Sequence, residues 1–409
     1  MAQPLRGIVV VDLSWIIAGP FAARLLSDFG ADVVKVESRR RMDVGRANRV
    51  PLFGVLPDDA NSNPDTGGYF QDANAGKRSV TLNLESEGGR GLLRRLVGRA
   101  DVTVCNLAGD QYERWGIGYE AMRAINPRII MVNMPSMESS GPRKAWRGFG
   151  DMFTGLGGLK SVSGHEGEPP LPWGHQYADF SSNPFHAAIA IMAALAHRDR
   201  TGEGQFIEVS QYESTVALVG PAIIEYGLTG VSPAPVGNRD RHAVPHNFYR
   251  CAGDDSWCAI AVETDEQWMA LVAAAPDANL DRAEWRTAAG RRQDESSVDT
   301  AIESWTRGWE RQALAAALQE QGVPAGPFQH IDEMVHADPT LGDSHFATLL
   351  QATSGREFLV HRNPLRARHH PPETRLAPLI GEHTYEVLTG LMGLSADEVA
   401  DYAAQGALE

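Results

Sequence analysis

Residues 8–37, IVVVDLSWIIAGPFAARLLSDFGADVVKVE, contain two short apolar runs on either side of a longer segment that begins with a proline. The runs at 8–13 and 32–37 are rich in valine, which is typical of buried strands. Pro20 favours the first turn of a helix, which we expect over residues 20–29. The stretch therefore predicts a β-α-β unit and, with it, a parallel sheet.

The same alternation continues to about residue 133. Right-handed crossovers would place the strands in a mostly parallel sheet with a ligand crevice at their carboxyl ends. The turn at 14–20 has one glycine and lacks the Gly-x-Gly-x-x-Gly spacing, which argues against NAD or FAD. Further strands are predicted at 79–84, 102–106 and 128–133, and further helices at 86–97 and 119–125.

The later part of the chain contains two loop-rich stretches and a smaller unit. Residues 51–68 and 155–174 are rich in glycine and proline, and residues 226–250 also predict loops. The smaller unit extends over about 257–325 and ends in a linker-like run. Its predicted elements are a strand at 257–262, helices near 265–275 and 297–321, and the run at 322–327, followed by terminal helices at 382–392 and 395–404.

Composition excludes several classes of protein. The net charge of −15 over 409 residues argues against a broad nucleic-acid surface, so an anionic ligand needs a local basic pocket. Three cysteines do not make a disulfide framework, and the scattered histidines do not indicate a metal site. No apolar span reaches membrane length. We therefore expect a cytoplasmic protein without membrane or nucleic-acid partners.

The stretch HQYADFSSN, residues 175–183, places one carboxylate, Asp179, shortly before a strongly helical run. Ser182 or Asn183 suits the cap of that helix, and Pro184 suits its first position. Asp179 would then lie in a turn near free backbone N–H groups. Such groups stabilise an ionised acid and an oxyanion that forms beside it, as a carboxylate nucleophile requires.

Several short motifs extend over nearly the whole chain and form a recognisable set. They are residues 11–13 with 18–20, 30–37, Asn74 with 77–79, 198–205, 237–238, 322–327, 338–339 and 379–384. In their order and spacing they resemble the class III CoA-transferase family, which includes formyl-CoA transferase and carnitine CoA-transferase. The α-methylacyl-CoA racemases resemble a branch of this family.

The resemblance implies an α/β fold with a large Rossmann-like parallel-sheet domain built from both chain ends. A smaller α+β domain is inserted, and two subunits interlock as a dimer. The implied boundaries are 1–200 for the first part of the large domain, 201–225 for a linker, 226–325 for the small domain, 326–345 for a second linker and 346–409 for the last part of the large domain.

The resemblance also implies an enzyme that moves CoA from an acyl-CoA donor to a carboxylic acid. Asp179 occupies the family's nucleophile position and would form an aspartyl anhydride and then an aspartyl-CoA thioester. A pKa near 4 would leave this carboxylate ionised at neutral pH without a general base. The coenzyme A thioester is then a substrate, and we expect no tightly bound cofactor. The expected partner subunit is a second copy of this chain or a paralogue.

The expected CoA-binding residues follow the predicted strands or match the family's CoA regions. Relatives commonly have Arg-Pro after the glutamate that corresponds to Glu37, whereas here Ser38 intervenes, which leaves open whether Arg39, Arg40 or Arg41 contacts CoA. The expected set is Ile17, Ala18, Arg39, Lys77, Asn106 and Arg114.

Two further expectations concern the acyl group. The loop that contains Gly157, Gly158 and Gly164 would close on the intermediate and exclude water. Trp146, Phe149 and Trp173 would line an acyl pocket for a bulky or aryl acid.

Two alternatives to transfer remain. The related racemases use a histidine within a Gly-His-Asp triplet together with the later aspartate, and this chain has Gly150 at the histidine's position. A non-catalytic CoA-binding subunit of a heteromer is the second alternative, and the presence of Asp179 argues against it.

Overall fold

The computed structural model describes residues 3–46, 64–107, 111–171 and 176–409. The chain divides into two compact units. The first takes its described residues from 1–160, 172–231 and 343–409, and the second consists of 161–171 and 232–342. The first unit is therefore built from both ends of the sequence.

A six-stranded parallel sheet forms the centre of the first unit, which confirms the predicted α/β fold. The strands are β1 (Val9–Asp12), β2 (Asp32–Glu37), β3 (Arg78–Thr81), β4 (Val102–Cys105), β5 (Ile130–Asn133) and β6 (Gln205–Glu208). Their order is β3-β2-β1-β4-β5-β6, and neighbouring strands are parallel. The chain reverses its direction of winding between β1 and β4, where doubly wound sheets open a ligand crevice.

Helices precede, connect and follow these strands. In chain order they are α1 (Ala18–Asp28), α2 (Gly68–Ala73), α3 (Glu87–Val97), α4 (Gln111–Arg114), α5 (Tyr119–Ile125), α6 (Gly150–Leu156), α7 (Tyr177–Phe180), α8 (Ser182–Thr201), α9 (Gln211–Val216) and α10 (Gly220–Thr229).

Successive side chains of a strand point to opposite faces of the sheet. Because neighbouring residues of these strands are apolar, both faces of the sheet are apolar. Val10 and Val33 pack in one cluster with residues of α1 and α8. Val11 and Val34 pack in a second cluster with α3 and the last part of the chain. Burial on both sides fixes the register of the strands and so the position of the side chains at their ends.

The second unit has its own core, formed by a three-stranded antiparallel sheet and helices. Trp268 and Trp285 are fully buried there and meet edge to face at 6.3 Å. The elements are β7 (His246–Arg250), β8 (Trp257–Ala261), β9 (Ala325–Pro327), α11 (Asp265–Ala274), α12 (Ala288–Gln293), α13 (Glu295–Thr306), α14 (Arg311–Glu320) and α15 (Ile331–His336).

The last part of the chain returns to the first unit. The Gly381 N–H donates to Ser79 Oγ at 2.8 Å, and the Asn83 N–H donates to the Ala407 carbonyl at 2.8 Å, which attaches this segment beside β3. Its elements are α16 (Gly342–His345), the antiparallel hairpin of β10 (Phe346–Gln351) and β11 (Arg356–His361), α17 (Thr384–Glu386), a π-helical turn at Val387–Leu391 and α18 (Ala396–Ala404).

Several element boundaries differ from the sequence-based predictions. Helix α1 begins two residues before Pro20, and the predicted helix at 297–321 is two helices, because the Glu310 side chain caps a new start by accepting the Ala313 N–H. Strand β7 lies in the stretch predicted as loops. Helix α2 begins at the last residue of the predicted 51–68 loop, of which residues 51–63 lie outside the described part of the chain.

Candidate active site

Asp179, predicted to lie in a turn before the helix, lies in the single helical turn α7, directly before α8. The N–H groups of Asp179 and Phe180 both donate to the Gln176 carbonyl, at 3.0 and 3.3 Å, which closes this turn. Helix α8 begins at Ser182, with Ser181 as its cap residue and no side-chain capping bond. The prediction of Ser182 or Asn183 as the cap and Pro184 in the first position was therefore wrong.

The Asp179 carboxyl group is buried and 5% exposed. Asn183, the second residue of α8, donates its amide to Oδ1 at 3.1 Å, and the Gly150 N–H lies close enough to lower the pKa of the acid. Desolvation outweighs both contacts and raises the pKa of Asp179 from 3.8 to about 6. The expected pKa near 4 is corrected upward, yet about nine-tenths of the group is ionised at pH 7.

Gly150 is the first residue of α6 and faces the same carboxyl group. Gln176 connects α6 to α7, since its Oε1 accepts the Asp151 N–H at 3.2 Å. One side chain therefore ties the helix that carries Asp179 to the segment that lies against it.

Aromatic rings form an apolar wall beside Asp179. Phe180 stacks on Tyr69 at 6.0 Å and meets Phe21 edge to face at 5.3 Å. Burial and the charge of Asp179 raise the pKa of Tyr69. Such surroundings desolvate the carboxylate and make it a stronger base than a carboxylate in water.

A cavity of about 530 Å³ lies at the carboxyl ends of the central strands. Four arginines contribute to its wall, and it extends to the two residues that precede Gly150. The lining comprises Leu13, Trp15, Ile16, Val36, Glu37, Ser38, Arg40, Arg41, Leu82, Asn83, Leu84, Glu85, Asn106, Leu107, Gln111, Arg114, Trp115, Ser136, Arg147, Gly148 and Phe149.

Asn106, which stays a predicted CoA-binding residue, lines this cavity and also fixes the turn after β1. Its Oδ1 accepts the Trp15 N–H at 2.8 Å and its Nδ2 donates to the Trp15 carbonyl at 2.7 Å. Ile16 adopts a left-handed backbone with φ of 72°, and its N–H donates to both Asp43 oxygens at 3.1 Å. A β-branched residue in this conformation is strained, so these bonds stabilise a defined turn.

Ile17 and Ala18, predicted to flank CoA, are buried and do not line the cavity. Their neighbours Trp15 and Ile16 line it instead. The sequence could not show which side chains of this irregular turn point toward the cavity.

Lys77 is also placed differently from the prediction. It directly precedes β3, and its amine is buried, donating to Asp12 at 2.7 Å and to Asn74 Oδ1 and the Pro20 carbonyl at 2.8 Å. Burial lowers the pKa of Lys77 to about 8. The amine is committed to internal partners and is not part of the cavity wall, because the buried Asp12 needs a counter-charge.

The three arginines after β2 have different positions. Arg39 donates to the Ile380 carbonyl at 3.0 Å and is not in the lining, whereas Arg40 and Arg41 line the cavity. Arg40 pairs with Glu409, and the Arg41 guanidinium lies 5.1 Å from the Trp15 ring.

Two cavity cations come from outside the β2 turn. Arg114, which stays a predicted CoA-binding residue, lines the cavity, and so does Arg147, which was not predicted. Arg147 follows no strand directly, so only its position just before Gly148 could have suggested it. Of the predicted acyl-pocket aromatics, Trp146 and Phe149 are exposed and Trp173 lies outside the described residues.

The described ranges contain no group of three or more His, Cys, Asp or Glu side chains placed to hold a metal ion. Within the same ranges, no helix is both long and apolar enough to span a membrane.

Comparisons with known proteins agree with this architecture. The succinate–glutarate CoA-transferase of Agrobacterium fabrum is 31% identical over 95% of this chain and 96% of its own length. The α subunit of a succinyl-CoA–L-malate CoA-transferase from Chloroflexus aurantiacus is 30% identical over 97% of this chain and 90% of its own. A crystal structure of a CaiB/BaiF family protein from Brucella suis superposes with a TM-score of 0.85 at 29% identity, covering 96% of this chain and 100% of that one.

The family profile described as "CoA-transferase family III" matches residues 5–384. This match covers most of the sequence, including all six strands of the parallel sheet and the segment that carries Asp179. The chain belongs to CoA-transferase family III and is a CoA-transferase.

Proposed function

We propose that this enzyme transfers CoA from an acyl-CoA to a carboxylic acid through covalent intermediates on Asp179. The observation that carries the proposal is the buried Asp179 carboxylate, held by Asn183 and located just beyond an arginine-lined cavity. Burial removes water from an anhydride that water would hydrolyse. It also raises the basicity of the attacking oxygen while leaving it ionised at neutral pH.

The reaction needs four displacements at carbonyl carbons. Asp179 attacks the donor thioester, so that a C–O bond forms, the C–S bond breaks and CoA leaves as a thiolate. The thiolate then attacks Cγ of Asp179 and releases the donor acid, leaving an aspartyl-CoA thioester. An acceptor carboxylate repeats these two steps in reverse. Electron pairs and protons balance without a general base, because every nucleophile is already an anion.

The cavity fits coenzyme A by size and by charge. Its volume of about 530 Å³ is in the usual range for ligand sites. Arg40, Arg41, Arg114 and Arg147 supply the local cations that phosphates require in a chain of net charge −15. Glu37, also in the wall, is neutralised by Arg46 at 2.7 Å. We assign the phosphates and adenine to this arginine-lined cavity and the thioester to the region of Gly148 to Gly150.

We also propose a dimer, supported by apolar residues that one chain leaves exposed. Phe185, Ile189 and Met192 lie on one face of α8 and are 44%, 68% and 44% exposed. Helix α10 has no buried residue, and its Ile224 and Leu228 are 65% and 82% exposed. Faces of this kind mark protein interfaces, and a second copy of the chain would cover them.

The decisive assay is transfer between a panel of acyl-CoA donors and carboxylic acids, read by mass spectrometry. Succinyl-CoA is the first donor to test, because both named relatives act with succinate or its CoA ester. Asp179→Ala should abolish transfer, and Asp151→Ala, a neighbouring exposed acid, should not. Equal transfer by wild type and Asp179→Ala would overturn the proposal.

The same assay addresses the two alternatives. Deuterium entering the α-carbon without an acceptor acid would indicate racemisation instead of transfer. Inactivity of the purified chain alone, with activity restored by a paralogue, would indicate a subunit of a heteromer. Gly150 argues against a second base at its own position, because a Cβ atom there would come within 2.7 Å of Asp179 Oδ2.

A further inference from the structure

The two oxygens of Asp179 have different neighbours. Oδ1 accepts the amide of Asn183 at 3.1 Å. Oδ2 faces Gly150, where an added Cβ would lie 2.7 Å from Oδ2 and 3.0 Å from Cγ. Carbon atoms at such separations are well inside van der Waals contact, so no side chain fits at position 150 while the carboxyl group stays in place.

The surroundings prevent an easy adjustment. Rotation of the carboxyl group alone does not relieve the contact, because Cγ itself is close to the added atom. A shift of the whole group would lengthen the bond from Asn183. The same Cβ would also lie 3.1 Å from Gln176 Oε1, which accepts the Asp151 N–H. A side chain at Gly150 therefore has to displace either the carboxylate or the residue that caps its helix.

Oδ2 faces the segment of chain that leads to the cavity wall. Gly148 and Phe149 line the cavity and directly precede Gly150. An acyl thioester whose CoA portion lies in the cavity would approach Asp179 along this segment and reach Oδ2 before Oδ1, which Asn183 covers.

We infer that Gly150 is a positioning residue: the absence of a side chain at this position is what lets the Asp179 carboxylate keep the place from which Oδ2 attacks. This inference rests on the proposed function. In the first step the Oδ2–acyl bond forms as the C–S bond breaks and the thiolate leaves. A methyl group at position 150 would move the attacking oxygen away from that place.

Helix α6 offers a matched control for the test. Gly155 lies in the same helix, and a Cβ there meets no atom within 4 Å. Gly150→Ala and Gly155→Ala thus make the same substitution in the same element, with a similar gain in helix propensity. The readouts are kcat, KM for succinyl-CoA, and the rate of CoA adduct formation on Asp179 measured by intact-protein mass spectrometry.

For Gly150→Ala we expect kcat and the rate of adduct formation to fall by about 10- to 100-fold, as for a displaced nucleophile. KM should stay within about threefold of wild type, because uniform binding is not removed. The acid limb of the pH profile should move to higher pH, because the displaced carboxylate loses the Gly150 N–H. Gly155→Ala should behave as wild type. Adduct formation at the same rate in the two variants would overturn the inference.

A second measurement tests the inference if the Gly150→Ala protein is too unstable for kinetic assays. In an Asp179→Ala background the clashing carboxyl group is absent and only the contact with Gln176 Oε1 remains, so the loss of melting temperature caused by Gly150→Ala should become smaller. An undiminished loss would contradict the inference. Failure of the proposed function would give a different result, because the wild-type enzyme itself would then form no adduct on Asp179.

Discussion

Asp179→Asn should make the folded protein more stable at neutral pH, even though it removes the proposed nucleophile. Burial raises the pKa of Asp179 from 3.8 to about 6, so ionisation of this carboxylate is less favourable in the folded chain than in the unfolded one. The destabilisation is absent well below pH 3.8, grows as pH rises through the unfolded pKa, and is complete above the folded pKa of about 6.

The expected magnitude follows from the size of this shift. About two pKa units correspond to about 3 kcal/mol above pH 7, and about half of this remains at pH 5. An asparagine keeps a group that can accept the Asn183 amide and carries no charge to desolvate. Part of the gain is lost where its own NH₂ group meets the Gly150 N–H, so a net gain of about 1–3 kcal/mol is expected.

Urea unfolding of wild type and Asp179→Asn at pH 5 and pH 8 measures this difference. Asp151→Asn, which neutralises an exposed acid in the adjoining helix, is the control and should change stability little at either pH. The reasoning is refuted if Asp179→Asn is no more stable than wild type at pH 8, or if its gain is the same at both pH values.

Three further outcomes are expected. The kcat/KM of wild type should fall about tenfold for each pH unit below about 6, because only the ionised Asp179 attacks, and a flat profile down to pH 5 would contradict this assignment. Arg147→Ala should raise KM for acyl-CoA by about 10-fold and leave kcat nearly unchanged, whereas Lys144→Ala, an exposed cation outside the cavity, should raise it little. Lys77→Met should lower the free energy of unfolding by about 3 kcal/mol, because Asp12 loses its closest counter-charge, and a variant of unchanged stability with a raised KM would restore Lys77 as a ligand residue.

The parallel sheet was predictable because its signal is local. Runs such as 8–13 and 32–37 place valines on both faces of a strand, and this pattern can be recognised without the rest of the chain. Helix α2 and the single turn α7 were not predicted, since four to six residues carry too little periodicity to distinguish a helix from a loop.

The candidate site was only partly predictable. Asn106 directly follows β4 and lines the cavity, so the rule of strand ends located it there. Arg114 also lines the cavity, but it lies at the end of α4. Lysine often binds phosphate, but the direction of the Lys77 side chain depends on its contact with Asp12, which is distant in sequence. The pKa of Asp179 depends on its burial in the folded chain, and the sequence does not show that burial.

The measurement that tests the central claim most directly is covalent trapping on Asp179. Wild-type enzyme is incubated with succinyl-CoA, treated with hydroxylamine and digested, and the peptide that contains Asp179 is sequenced by mass spectrometry. A hydroxamate on Asp179, formed only in the presence of the CoA ester, is the predicted result. An unmodified Asp179 in an enzyme that is transferring CoA would contradict the account.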